Sequence, residues 1–207
     1  IFYYLTLMNE NYQHPEMPEG DDIAEQIIKG IYKLERVEND KSKLNVQLMG
    51  SGTILNEVRK AAQILCDDYN VSSDVYSVTS FNELAREGQD VARWNMLNPE
   101  AEQKVPYIGQ VITKDAGPAI SATDYVKNYS DQVRAFIDTE YRCLGTDGFG
   151  RSDSRENLRT HFEVNASYIV VASLYELAQR GDVEKKVVAE AIKRFEINAE
   201  KLNPLYA

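Results

Sequence analysis

Histidine, cysteine and long apolar runs are all scarce in this sequence, and each scarcity excludes a class of chemistry. His14 and His161 are the only histidines in 207 residues. No Cys/His cluster therefore reaches the spacing of a zinc site. Cys66 and Cys143 are the only cysteines, too few for a disulfide scaffold. Neither has a neighbouring His or Lys that would stabilise a thiolate. No apolar run reaches about 18 residues, so no segment spans a bilayer as a helix. Positive charge is also short: 23 Lys and Arg stand against 33 Asp and Glu, a formal net charge of −10. A field of that sign repels phosphate backbones and anionic headgroups. Nucleic acid and membrane are thus not expected partners, and the expected compartment is the cytoplasm.

What is present is a globular composition. Apolar residues make up 43% of the chain and charged ones 27%, with 13 Tyr and 6 Phe. The length suits one domain and a little more. The chain opens at Ile without a basic region, which reads as a trimmed piece with no signal peptide. Ile1 to Leu7 is β-branched and aromatic, the signature of a strand. Asn9 to Gly20 holds two prolines and a closing glycine, the signature of a linker. Residues 1–20 are therefore expected to end a preceding domain and lead out of it, and 21–207 to form the domain proper.

From Asp21 onward, strands alternate with helices. A short helix is expected from an Asp21 or Asp22 cap to Lys29, with Gly30 just past its end. Ile31 to Val37 reads as an edge-like strand and Leu44 to Met49 as a second. The short turn between them favours an antiparallel pair. Apolar residues from Ile54 to Leu65 follow the 3.6 period of a helix. Asp74 to Thr79 reads as a strand. Ser80 and Glu83 form a capping box for a helix to about Arg93, with Trp94, Met96 and Leu97 expected to anchor its packing. Asn98 to Gly117 reads as irregular. Pro118 to Ala122 is a strand, Tyr125 to Phe136 a helix, and Tyr141 to Leu144 a strand entering a polar loop to Ser154. Asn165 caps a helix to Arg180, closed by Gly181, and Asp182 caps the last one. This alternation implies an α/β fold, a mostly parallel sheet with helices on both faces and one antiparallel strand at an edge.

Two glycine turns follow strands. Gly50-Ser-Gly52 opens a helix, as a dinucleotide-binding turn would, but Leu55 holds the third glycine position. No acid ends the next strand. Tight-turn geometry explains these glycines, and a nicotinamide enzyme is disfavoured. The second turn, Gly145 to Gly150, precedes the densest polar constellation in the chain: Asp147, Arg151, Asp153, Arg155, Arg159 and His161, with Glu156 among them. It lies beyond the carboxyl end of a predicted strand, where open α/β sheets bind ligands. Two readings stand: an anion or interface site, or an ion-pair network that fixes the loop or docks a neighbouring domain. No serine sits in a nucleophile elbow that His161 could serve. His14, beside Pro15, reads as a linker contact.

At the level of residues, Met8-Asn-Glu-Asn-Tyr12, Met17-Pro-Glu-Gly20, Ser73-Asp-Val-Tyr-Ser-Val-Thr-Ser-Phe81, Arg93-Trp-Asn-Met-Leu97 and the stretch from Leu144 to Leu158 resemble the C-terminal part of the homodimeric bacterial pyruvate dehydrogenase family. These are thiamine-diphosphate-dependent decarboxylating subunits of transketolase-like build. The resemblance covers essentially the whole chain. It implies a three-layer α/β/α sandwich with a five-stranded, mostly parallel sheet. The parent enzyme would use thiamine diphosphate and magnesium, release carbon dioxide from pyruvate, and pass the acetyl unit to lipoyl on an acetyltransferase core. Its partners would be its own N-terminal and middle domains, a second subunit and that core. The family holds its diphosphate through a G-D-G motif and a later Asn. Here Thr146-Asp-Gly148 lacks the first glycine and no Asn falls at the family's distance. No catalytic, cofactor-binding or metal-binding residue is carried over, and this stretch alone is expected to be inactive, serving structure and dimerisation. A regulatory-ligand or partner-docking module is the alternative.

Overall fold

The computed structural model describes residues 2–5 and 11–207. Among the described residues five strands form one sheet: β1 Ile31–Val37, β2 Asn45–Gly50, β3 Ser72–Val78, β4 Ala119–Ala122 and β5 Tyr141–Leu144. Their order across the sheet is β1-β3-β2-β4-β5. β2, β3, β4 and β5 are mutually parallel, and β1 runs antiparallel at one edge. Eight helices among the described residues accompany them: α1 Ile23–Lys29, α2 Leu55–Tyr69, α3 Phe81–Leu97, α4 Tyr107–Val111, α5 Lys127–Asp131, α6 Arg155–His161, α7 Ala166–Arg180 and α8 Lys185–Arg194.

Alternation along the strands sends successive side chains to opposite faces. Leu48 and Val75 join the core under α2, α7 and α8, with Leu65, Ile169, Leu174 and Val188. Met49 and Tyr76 join the core under α3 and α4, with Phe81, Leu84 and Ile108. The result is the three-layer sandwich that the alternating pattern implies.

The expected β1–β2 hairpin does not form. β1 pairs with β3, from Ile31 opposite Val78 to Val37 opposite Ser73. Burial explains the exchange. β2 is buried along nearly its whole length, whereas in β1 only Ile31 is buried and the rest are half-buried or exposed, as suits an edge strand. The β2–α2–β3 crossover also places β3 beside β2, the usual outcome for a parallel connection. The loop from Glu38 to Leu44 then only has to cross the end of β3, about 10 Å of sheet. Asn39 N–H donates to Ser72 Oγ at 2.9 Å, and Ser72 N–H to the Leu44 carbonyl at 2.9 Å.

Other boundaries moved for local reasons. Ser80 Oγ accepts from Glu83 N–H at 3.1 Å, but the Glu83 carboxylate turns to Arg86 and leaves the capping box half made. α3 runs four residues past Arg93. The predicted helix from Tyr125 breaks into α5 and a 3-10 turn over Arg134–Phe136. There Ser130 Oγ donates back to the Lys127 carbonyl at 3.2 Å, a bond that competes with helix continuation. The stretch 98–117 holds α4 and a 3-10 turn at Lys114–Ala116. Asp182 does not cap α8, because its N–H closes α7 on the Leu177 carbonyl at 2.9 Å; Glu184 takes the cap position. α6 is an addition to the predicted elements. Phe2 to Leu5 carry no regular structure, and the rest of the predicted first strand lies outside the described residues. Met96 and Leu97 are exposed rather than packed, while Trp94 carries Lys104 Nζ 3.9 Å over its ring. No helix among the described residues is long and apolar enough to cross a membrane.

Candidate functional site

The loops after β2, β4 and β5 gather at the carboxyl edge of the sheet. Ser51 Oγ and Thr123 Oγ1 join two of them at 2.8 Å. Thr146 N–H donates to the Tyr125 carbonyl at 2.8 Å and joins the third. Gly50 is required here, since a Cβ would lie 2.8 Å from Leu55 Cα. Packing thus accounts for this glycine without a ligand. Beside the turn lies an open cleft of about 1110 Å³, lined by Tyr12, His14, Tyr32, Asn56, Thr79 and Asp124 among others. His14 therefore belongs to a strap across this edge.

The polar constellation after β5 is divided by the structure. Asp147 faces α5: its Oδ1 accepts from Lys127 N–H at 2.9 Å, and Oδ2 lies 3.6 Å from Lys127 Nζ. Arg159 points the other way, to Glu57 Oε1 at 3.2 Å and the Tyr12 hydroxyl at 3.0 Å. Arg151, Asp153 and His161 remain together, lining with Ser152 and Asn157 an open cleft of about 470 Å³. Asp153 is engaged locally, accepting from Ser154 N–H at 2.6 Å and Asn157 Nδ2 at 2.8 Å. Those bonds, from Asn157 first and Ser154 second, hold its carboxyl below the usual value. Arg155 opens α6 and does not line the cleft.

His161 is the one aromatic base of the cleft. Its Nε2 is buried and has no hydrogen-bond partner. Burial lowers its pKa, and the charges of Arg151 and Lys201 lower it further. The ring is therefore neutral at pH 7, and Nε2 can donate or accept one hydrogen bond. No nucleophile is held against it by the bonds described above.

Glu57 is the buried junction beside this site that the sequence did not announce. It sits on the buried side of α2, 6% exposed. Oε1 accepts from Lys60 Nζ at 3.0 Å and Arg159 at 3.2 Å, and Oε2 accepts from Ala166 N–H at 3.1 Å. One carboxylate thus joins α2, α6 and the first turn of α7, and through Arg159 it reaches the strap at Tyr12. The available signal was an acid beside Val58 on an apolar helix face. A buried carboxylate needs partners, and Lys60 and Arg159 are the cations within reach. Among the described residues no group of three or more His, Cys, Asp or Glu is placed to hold a metal ion.

The sheet order and the edge loops define the class. Residues 30–165 match the transketolase-like TK C-terminal domain, and the chain belongs to that family. A solved transketolase from Pichia stipitis shares the fold, with a TM-score of 0.50 at 14% identity over 76% of this chain and 19% of that one. The particular similarity is to pyruvate dehydrogenase. The chain is 62% identical over 208 residues to the "Pyruvate dehydrogenase E1 component" of Escherichia coli, covering 100% of this chain and 23% of the relative. The Haemophilus influenzae component is 57% identical over 208 residues with the same coverage. The chain thus spans about a quarter of the length of these relatives. The resemblance read from the sequence is borne out over the whole chain.

Proposed function

We propose that this chain is the C-terminal domain of a homodimeric, thiamine-diphosphate-dependent pyruvate dehydrogenase component. Residues 1–20 lead out of the middle domain and 21–207 form the unit described above. The parent enzyme decarboxylates pyruvate and delivers an acetyl unit to lipoyl on an acetyltransferase core in the cytoplasm. This domain contributes structure and dimer contacts, and the chemistry belongs to the preceding domains.

One observation carries the reading: similarity along this whole chain to a quarter of much longer pyruvate dehydrogenases is combined with an acid that is already engaged. Asp147 is the only acid in Thr146-Asp-Gly148, the stretch nearest the family's magnesium-binding motif. It is held by the backbone and ammonium of Lys127. The residues present do not fit a magnesium–diphosphate site, so no step through that cofactor is derived for this chain.

The test is decarboxylation of pyruvate with thiamine diphosphate and magnesium, by this chain alone and after the preceding domains are added back. Silence alone with activity on reconstitution is the expected result. Activity from the chain alone would place a cofactor site here and sink the structural reading.

A second reading, a regulatory or docking module, rests on the 470 Å³ cleft and the unpartnered His161 Nε2. Arg151 and a neutral imidazole suit a small anion. Titration with inorganic phosphate, and separately with the acetyltransferase's subunit-binding segment, tests it; no saturable binding of either removes it.

A further inference from the structure

Large apolar side chains cluster at the carboxyl edge, outside both cores. Tyr125 is 56% exposed, Val126 52%, Phe149 81%, Leu205 46% and Tyr206 74%. They are distant in sequence, but the backbone beneath them is one piece. Thr146 N–H donates to the Tyr125 carbonyl at 2.8 Å. A Cβ on Gly145 would lie 2.7 Å from that same carbonyl, and one on Gly148 only 2.1 Å from the Pro204 carbonyl. Two bare glycines thus clamp the loop between 125–127 and 204–205. Charges of both signs border it, at Lys127, Asp147 and Arg151. A preorganised apolar patch with a polar rim is the anatomy of a contact surface.

We infer that this patch docks the polypeptide preceding this domain within the same parent chain; the inference rests on the proposed function and specifies its surface. Three observations select that occupant. First, the relatives are about four times as long as the region matched here. Second, the upstream strap runs along this edge: Tyr12 and His14 line the same cleft as Asp124 and Tyr125. Polypeptide entering through the strap therefore arrives beside the patch. Third, the area is right for a tethered contact. Five side chains exposed to this degree present on the order of 600 Å². A standard free interface averages about 800 Å² per partner, whereas interdomain contacts within a chain begin at about 600 Å² in all. Tethering raises the effective concentration, so the smaller area suffices.

The test is hydroxyl-radical labelling of the full-length parent enzyme, read residue by residue by mass spectrometry against the urea-unfolded enzyme. Phe81, wholly buried in this domain, is the internal standard for protection. The docked patch predicts that Phe149, Tyr125 and Tyr206 fall several-fold in labelling, towards the Phe81 level. The protection must persist when the enzyme is diluted until its subunits separate. Protection that disappears on dilution would assign the patch to the second subunit and overturn the inference. Labelling of Phe149 and Tyr206 at the unfolded rate in the intact enzyme would overturn it outright. Failure of the structural-domain reading would instead show in the reconstitution assay as decarboxylation by this chain alone, so the two failures are distinguishable.

Discussion

At the scale of single residues, Glu57 and Gly148 carry the most. Replacing Glu57 by Ala leaves Arg159 without its buried carboxylate and the first turn of α7 with an unsatisfied N–H at Ala166. Removing one member of a buried pair costs several kcal/mol, less where the other member is part solvated, as Arg159 and Lys60 are here. Urea unfolding of Glu57→Ala should therefore show a loss of about 2–3 kcal/mol. A loss within about 0.5 kcal/mol, typical of a surface change, would refute the role. Gly148 is a different case. Its φ of +91° is left-handed, and an added Cβ would meet the Pro204 carbonyl at 2.1 Å. The neighbour that must yield is the short 3-10 turn Pro204–Tyr206, which packs through few groups. Gly148→Ala should therefore lower Tm by a few degrees, while the amides of Leu205 and Tyr206 exchange several-fold faster. Unaltered exchange there would mean that the clamp does not hold the tail.

At the scale of elements, β1 shows what an edge strand requires. Its Lys33 and Arg36 side chains face Asp74 on β3. That carboxylate accepts from Lys33 at 2.5 Å, Arg36 at 3.0 Å and Asn45 Nδ2 at 3.0 Å. Burial pushes the Asp74 pKa up, but the bonds from Lys33, Arg36 and Asn45 outweigh it and hold the carboxyl below its usual value. Asp74→Asn should cost about 1–3 kcal/mol and speed hydrogen exchange in β1 before the interior strands. Uniform exchange across the sheet would count against a local anchor. This contact also shows where sequence reading stopped. α7 was legible because Asn165 and Gly181 mark its ends: Asn165 Oδ1 accepts from Tyr168 N–H at 3.2 Å and Gly181 is left-handed. The β1–β3 partnership was not legible, because a seven-residue loop is as compatible with crossing one strand as with turning a hairpin. α6 was hidden by its polar composition, with no apolar stripe to reveal a period. The polar constellation was found, but its division was not. Neither the pull of Lys127 on Asp147 nor that of Glu57 on Arg159 is local in sequence.

At the scale of the whole molecule, acid is the informative perturbation, because two kinds of group respond in different ranges. Asp74 has a depressed folded-state pKa, so its contribution is complete above the unfolded value, about 3.9, and is lost as pH falls through the lower folded value. His161 is also depressed, first by burial and then by Arg151 and Lys201. For a base the consequence appears earlier: the unfolded chain takes up a proton near pH 6.5, while the folded chain resists it. Stability from this residue therefore begins to fall below about pH 6.5. A global term opposes the decline. The net charge of −10 shrinks as pH approaches the isoelectric point near 4.8, which relieves self-repulsion. A single stability–pH curve mixes these effects, but the difference between the chain and His161→Gln does not, because the global term is common to both. That difference should be flat from pH 8 to 7, then shift steadily in favour of the variant as pH falls below about 6.5. A difference that stays constant across this range in urea-unfolding measurements would mean that the imidazole protonates as readily folded as unfolded. Burial and the charges of Arg151 and Lys201 would then not weigh on His161 as described above.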